Sequence, residues 1–199
     1  IEEVLKMVTK IREITQIPII LFSYYNPVLA YGAHAFYKDS LKAGVDGVLI
    51  VDLPPEESGE MTSKWDGDGL SLIRLIAPTT PLSRMKKISD SGSGFLYLVS
   101  KTGVTGSGGL DTAAIERQVK DLRPFTNLPI SVGFGISSLQ EVKAISNVAD
   151  GIVIGSAFER LIETHLDHKK LPSILGKRVM EYKQATRLNK GRGKSVIKT

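Results

Sequence analysis

The feature that most constrains this 199-residue sequence is an alternation of two kinds of segment. Short apolar runs rich in Val, Ile and Leu recur at residues 18–22, 47–51, 72–76, 95–99, 130–132 and 151–154. Most of these runs are continuously apolar rather than alternating, with Arg74 and Ser131 the interruptions, which suits strands covered on both faces. Between them lie amphipathic stretches. Ile1, Val4, Leu5, Val8 and Ile11 share one face of a first helix, and residues 81–89, 111–122, 138–146, 156–164 and 171–185 read as further helices. Asp111 and Ser138 stand where helix N-caps belong. Such βα alternation builds parallel strands joined by right-handed crossovers.

Six strands of this kind fit either an open doubly wound sheet or most of a (β/α)8 barrel. Two features favour the parallel (β/α)8 TIM-type barrel, with about six of its eight βα units in this chain. Candidate site residues follow nearly every strand, as they do at the C-terminal face of a barrel. The chain also enters on a helix, as if inside a repeating series. Six of eight strands would leave the runs at 18–22 and 151–154 as unpaired edges, an aggregation liability. Two further βα units are therefore expected outside this sequence, upstream of Ile1. Residues 1–188 are expected to form the incomplete barrel domain and 189–199 a basic, flexible tail.

Composition narrows the function classes. Hydrophobic residues make up 42% and charged residues 24%, which is a globular rather than a disordered balance. No apolar run is long enough to cross a bilayer. The absence of cysteine rules out a disulfide, a thiolate metal site and a cysteine nucleophile, and it fits a reducing compartment. The net charge of +5 is concentrated at one end: from Lys169 onward there are ten basic residues against Glu181 alone. The remainder is mildly acidic, so a nucleic-acid partner is not expected. Gly191-Arg192-Gly193-Lys194-Ser195 looks like the end of a phosphate loop, but Leu188 stands where the leading glycine belongs and no strand precedes it.

Chemistry is suggested at the strand ends. Gly133-Phe134-Gly135 follows the fifth strand, and Gly155-Ser156 follows the sixth and opens a helix. In barrels the loops after the last two strands commonly bind phosphate, using free N–H groups of a first helical turn. The alternative is that these glycines only make tight βα turns. Residues 101–109 hold four glycines after the fourth strand and read as a lid, or else as a plain linker. Tyr24 and Tyr25 at the end of the first strand, and Tyr97 in the fourth, can offer a flat wall and a hydroxyl, or simply pack in the core. Asp52 at the end of the second strand is either an acid–base group or a turn cap. His34, His165 and His168 show no metal or triad pattern.

The combination is more specific than its parts. Ser23-Tyr24-Tyr25-Asn26-Pro27, Asp52-Leu53-Pro54-Pro55-Glu56-Glu57, Ala77-Pro78-Thr79-Thr80-Pro81, Tyr97-Leu98-Val99-Ser100, Gly103-Val104-Thr105-Gly106, Gly133-Phe134-Gly135-Ile136-Ser137 and Gly155-Ser156-Ala157 occur in one order. This set resembles the tryptophan synthase α chain from about Ile1 to Glu163. The resemblance implies a carbon–carbon lyase that cleaves indole-3-glycerol phosphate to indole and glyceraldehyde 3-phosphate. It puts the family's acid–base Glu and its assisting Asp upstream of Ile1, so neither role falls on a residue here. Tyr97 and Thr105 then match supporting residues, Tyr24 the indole pocket, and Gly106, Phe134, Gly135, Gly155 and Ser156 the phosphate cradle. Asn26 and Pro54 fall where the family meets its β chain, the partner of an α2β2-type heterotetramer. No cofactor is expected in this chain, pyridoxal phosphate belonging to the β partner. The location expected for a bacterial member is the cytoplasm, and for a plant member the plastid. The alternatives are a fragment that only binds a phosphate ester or a β chain, and a stand-alone indole-releasing lyase. Three features depart from the family pattern, one being the basic tail after Lys190, which has no family counterpart. Arg74 lies mid-strand, where an unpaired buried guanidinium would be costly, and residues 64–69 are too polar and glycine-rich for a helix.

Overall fold

The protein is described from a computed structural model that covers residues 1–63, 65, 69–100 and 110–187. The lid-like stretch 101–109 and the basic tail lie outside the described residues. Six strands, β1 (Ile20–Ser23), β2 (Gly47–Ile50), β3 (Ser71–Ile76), β4 (Leu96–Val99), β5 (Ile130–Gly133) and β6 (Gly151–Val153), are ordered as they occur in the sequence. The pairings β1 with β2, β2 with β3, and β5 with β6 are parallel. A doubly wound sheet reverses its strand order at a switch point, whereas a barrel adds each new strand beside the last. The order seen here is the barrel's, which settles the choice that composition and periodicity had left open.

The chain divides into two compact units. The first comprises Ile1–Ile76, Thr80–Leu96 and Phe125–Leu128. It contains α1 (Glu2–Arg12), α2 (Tyr25–Tyr31), α3 (Ala33–Ala43), α4 (Ser58–Thr62) and α5 (Leu82–Asp90). Of these, α2, α3 and α4 are not among the helices expected from the sequence. The core of this unit joins Leu5 and Val8 of α1 to Phe36 and Tyr37 of α3, Val48 and Ile50 of β2, and Leu72 of β3. Trp65, in the stretch too polar for a helix, stacks on Tyr37 at 5.3 Å between ring centroids.

The second unit comprises Ala77–Thr79, Tyr97–Pro124 and Pro129–Thr199. Its helices are α6 (Thr112–Leu122), α7 (Leu139–Ile145), α8 (Ser156–Glu163) and α9 (Leu171–Arg187). Asp111 caps α6 by accepting the Ala114 N–H at 2.9 Å. Ser138 and Glu141 form a reciprocal capping box at the start of α7. Both caps stand where the sequence puts them.

Each unit also uses the same clamp at the start of its strands. In the first, the Asp46 carboxylate accepts the Ile19 N–H at 2.7 Å and pairs with the Arg12 guanidinium. Arg12 in turn donates to the carbonyls of Gly44 (2.7 Å) and Ile17 (2.6 Å). In the second, Asp150 accepts the Ile130 N–H at 2.9 Å and pairs with Arg123 at 2.6 Å. Each Asp lies directly before the glycine that opens a strand, so one carboxylate ties a helix end and two neighbouring strands together. Asp46→Ala leaves the Ile19 N–H and Arg12 without this acceptor. It is expected to cost about 1.5–3 kcal/mol, and Asp46→Asn less, by urea unfolding.

Candidate functional site

The second unit builds a polar backbone cradle at the ends of β5 and β6. These strands pair with Gly133 level with Val153. The chain therefore leaves both at the same edge, and Phe134-Gly135 and Ile154-Gly155-Ser156 follow side by side. Phe134 has φ +89° and Gly135 has φ +76°. Two successive left-handed residues turn the backbone sharply, and for Phe134 that conformation costs on the order of 1–3 kcal/mol. Ser100, just beyond β4 and only 1% exposed, holds it in place. The Ser100 N–H donates to the Gly133 carbonyl at 2.8 Å, and its hydroxyl reaches the same carbonyl at 2.9 Å as well as the carbonyl of Phe134.

Facing this turn, Gly155 opens α8 with φ −113° and ψ −80° and no side-chain cap. Its carbonyl accepts the Phe158 N–H at 2.8 Å, so the helix starts there. Gly155 and Ser156 are exposed. The first-turn amides and the positive end of the helix dipole are thus presented to an anion. Tyr97 stands beside the cradle. It is 7% exposed, and burial pushes its phenol pKa up, so it acts as a neutral hydroxyl. Its ring lies so close to Gly133 that a Cβ there would collide with the hydroxyl and sit 2.7 Å from Cζ. Gly133 is thus fixed by the tyrosine it accommodates.

The first unit places the other expected residues. Tyr24 directly follows β1, which stops at Ser23, and is the 64%-exposed N-cap residue of α2. Tyr25 begins that helix. Asp52 acts as a cap. Its Oδ1 accepts the Tyr25 N–H at 2.7 Å, which fastens the first turn of α2 to the loop after β2. Asn26 of α2, next to Tyr25, is exposed, and Pro54, two residues after Asp52, is half-buried.

Arg74 is buried (5% exposed) but is not unpaired. Its guanidinium donates to the carbonyls of Ser91 (3.2 Å) and Leu53 (3.2 Å) and to the Ser58 hydroxyl (2.6 Å). These bonds offset the desolvation that an unpartnered cation would carry. Glu56, in the same loop, pairs with Arg84 (3.1 Å) and Lys87 (2.9 Å) of α5. Those cations, together with a backbone hydrogen bond, hold its pKa down at about 2.

Thr105, Gly106 and the rest of 101–109 lie outside the described residues. Among the described residues no cluster of His, Asp and Glu is arranged for a metal ion, and His165 packs edge-on against His168 at 6.0 Å. Sequence reasoning missed the roles of Ser100, Arg84 and Lys87. The position of Ser100 directly before the glycine-rich stretch is the one local signal for it.

Two measurements probe this arrangement. Ser100→Ala removes the hydroxyl that supports the left-handed Phe134 and is expected to cost about 1–2 kcal/mol in urea unfolding. Glu56→Gln is expected to lower the thermal midpoint at pH 7. Because the folded carboxyl titrates at about 2 and the unfolded one near 4.5, the stabilisation is complete above pH 4.5. The wild-type advantage should fade as pH falls from 4.5 to 2.

Comparison with known proteins bears on the family and the fold. The pattern of the family described as "Tryptophan synthase alpha chain" matches residues 1–187. A tryptophan synthase alpha chain from Desulfatibacillum aliphaticivorans is 55% identical over 185 residues, covering 93% of this chain and 70% of that protein. One from Desulfosudis oleivorans is also 55% identical, covering 94% and 71%. Among solved structures, a tryptophan synthase a2b2 complex from Pyrococcus furiosus matches with a TM-score of 0.81 and 32% identity, covering 92% of this chain and 73% of that one. An alpha chain from Legionella pneumophila gives 0.82 and 32%, covering 96% and 71%. The chain thus spans about 70% of the length of these two curated relatives. On this evidence the chain belongs to the tryptophan synthase alpha chain family.

Proposed function

We propose that this chain serves the α reaction of a tryptophan synthase: retro-aldol cleavage of indole-3-glycerol phosphate to indole and glyceraldehyde 3-phosphate. The observation that carries the reading is the cradle at the ends of β5 and β6, where the left-handed Phe134-Gly135 turn lies beside the uncapped start of α8. A phosphate monoester is a dianion, and charge-assisted bonds from first-turn amides suit it. Tyr97 supplies a neutral hydroxyl beside the cradle. Cleavage requires a proton at C3 of the indole and loss of a hydroxyl proton as the carbon–carbon bond breaks. The acid and base for those transfers are assigned to no residue of this chain. The residues here bind the ester and orient it.

Asn26 and Pro54, which flank the Tyr25–Asp52 hydrogen bond in sequence, form the surface offered to a β chain. Support for this comes from the likeness to the Pyrococcus furiosus chain, whose structure is an a2b2 complex. Pyridoxal phosphate is assigned to that partner. Among the described residues no helix is long and apolar enough to cross a membrane, and the cytoplasm is the proposed compartment.

The experiment is a calorimetric titration with glycerol 3-phosphate. Wild-type protein should bind it, and Ser156→Glu should bind at least ~10-fold more weakly. A carboxylate in the first turn favours the helix by about 0.3–1 kcal/mol, so the thermal midpoint should hold or rise while the phosphate is repelled. Unchanged affinity in Ser156→Glu would remove the cradle from the reading. Indole release from indole-3-glycerol phosphate, measured with and without a β chain, tests the reaction itself.

A further inference from the structure

Arg74 is the one buried charged side chain among the described residues, and neither ester binding nor cleavage uses it. It reaches from β3 into the loop that follows β2. One nitrogen takes the Leu53 carbonyl at 3.2 Å and another takes the Ser58 hydroxyl at 2.6 Å. That hydroxyl donates onward to the Pro55 carbonyl at 2.9 Å. The residues on either side of Pro54 are therefore both fixed to a single guanidinium. The Pro54 carbonyl itself accepts the N–H groups of Glu57 and Ser58, both at 3.1 Å. Glu56 is held separately by Arg84 and Lys87 on the outer side. An apolar residue at position 74 would fill the same space in β3 without reaching these carbonyls. A planar fork with several donors can hold more than one of them at once.

We propose that Arg74 is a positioning residue for partner docking, fixing the loop around Pro54 from beneath so that it is presented to the β chain in one conformation. The inference rests on the reading that Pro54 faces a β chain. Its energetic content is preorganisation: a loop already ordered in the free chain does not have to be ordered on binding.

Two measurements on the 199-residue chain test it. In the first, amide hydrogen exchange is compared between wild type and Arg74→Met. The Glu57 and Ser58 amides should exchange at least ~10-fold faster in the variant, while Met85 in α5 keeps its rate and Arg74→Lys falls between. A role in general stability would speed all of them together. In the second, each protein is titrated with a tryptophan synthase β chain, and Arg74→Met should bind at least ~10-fold more weakly. Should Arg74→Met fail to fold, Ser58→Ala removes the shortest acceptor and should give the same local acceleration. Unchanged exchange at Glu57 and Ser58 would overturn the proposal, as would a loosened loop with β-chain affinity within twofold of wild type. If the wild-type chain binds no β chain, the proposal falls with the docking reading. The exchange data then separate the faults: a loop loosened in Arg74→Met puts the error in the docking reading, and an unchanged loop puts it in the role given to Arg74.

Discussion

A single carboxylate placed just before a strand sets much of this structure. Asp46 and Asp150 each accept the N–H at the start of the preceding strand while pairing with an arginine at the end of a helix. In a parallel pair, register fixed at one end determines which residues stand level at the other. Gly133 comes level with Val153, and Ser23 with Ile50, because the strands begin where these clamps put them. A slip of one residue would turn the buried faces outward and separate the loops that the site requires. The clamp lies at the strand-starting edge, and the alignment of the loops at the strand-ending edge depends on it.

Beyond the strands, the same economy recurs. Polar groups that look misplaced in isolation each hold a backbone turn. Ser100 is almost wholly buried, yet it secures a left-handed phenylalanine. Asp52 looks like a catalytic acid at a strand end and serves as the cap of α2. Arg74 interrupts an apolar strand and bonds to carbonyls on two loops. In each case the partner is a main-chain or hydroxyl group far away in sequence, which satisfies the buried polar atom and shapes a loop at once.

That distance in sequence marks what was legible and what was not. The six strands were found within about two residues of their observed ends, because a short β-branched run between turn residues has few other uses. Helices α1, α5, α6, α7, α8 and α9 were marked by their periodicity, two of them also by capping residues. Helix α3 is not among the expected helices, although its buried Phe36, Tyr37, Ser40 and Ala43 follow a helical spacing. Helix α2 had no comparable local signal: it is seven residues long, contains Pro27, and takes its first-turn acceptor from Asp52 on a different loop. The cradle glycines could be read because their conformations are a local matter. The support that Ser100 gives the Phe134 turn could not, and neither could the hold of Arg74 on the loop around Pro54, because each arises only when the chain folds back.

The hydroxyl of Tyr182, in α9, donates to the carbonyl of Ser137 at 2.6 Å, just after the Phe134-Gly135 turn, and its ring packs edge-on against Phe158 of α8. Both cradle segments are therefore braced by a residue that appears some fifty positions after the turn itself. On the ribosome the chain is made from the N-terminus, and a segment can settle only against partners that have already emerged. The face that carries Phe134-Gly135 and Gly155-Ser156 is consequently braced only once α9 has emerged. A nascent chain that stalls before Tyr182 would carry every cradle residue and still lack the brace that shapes them.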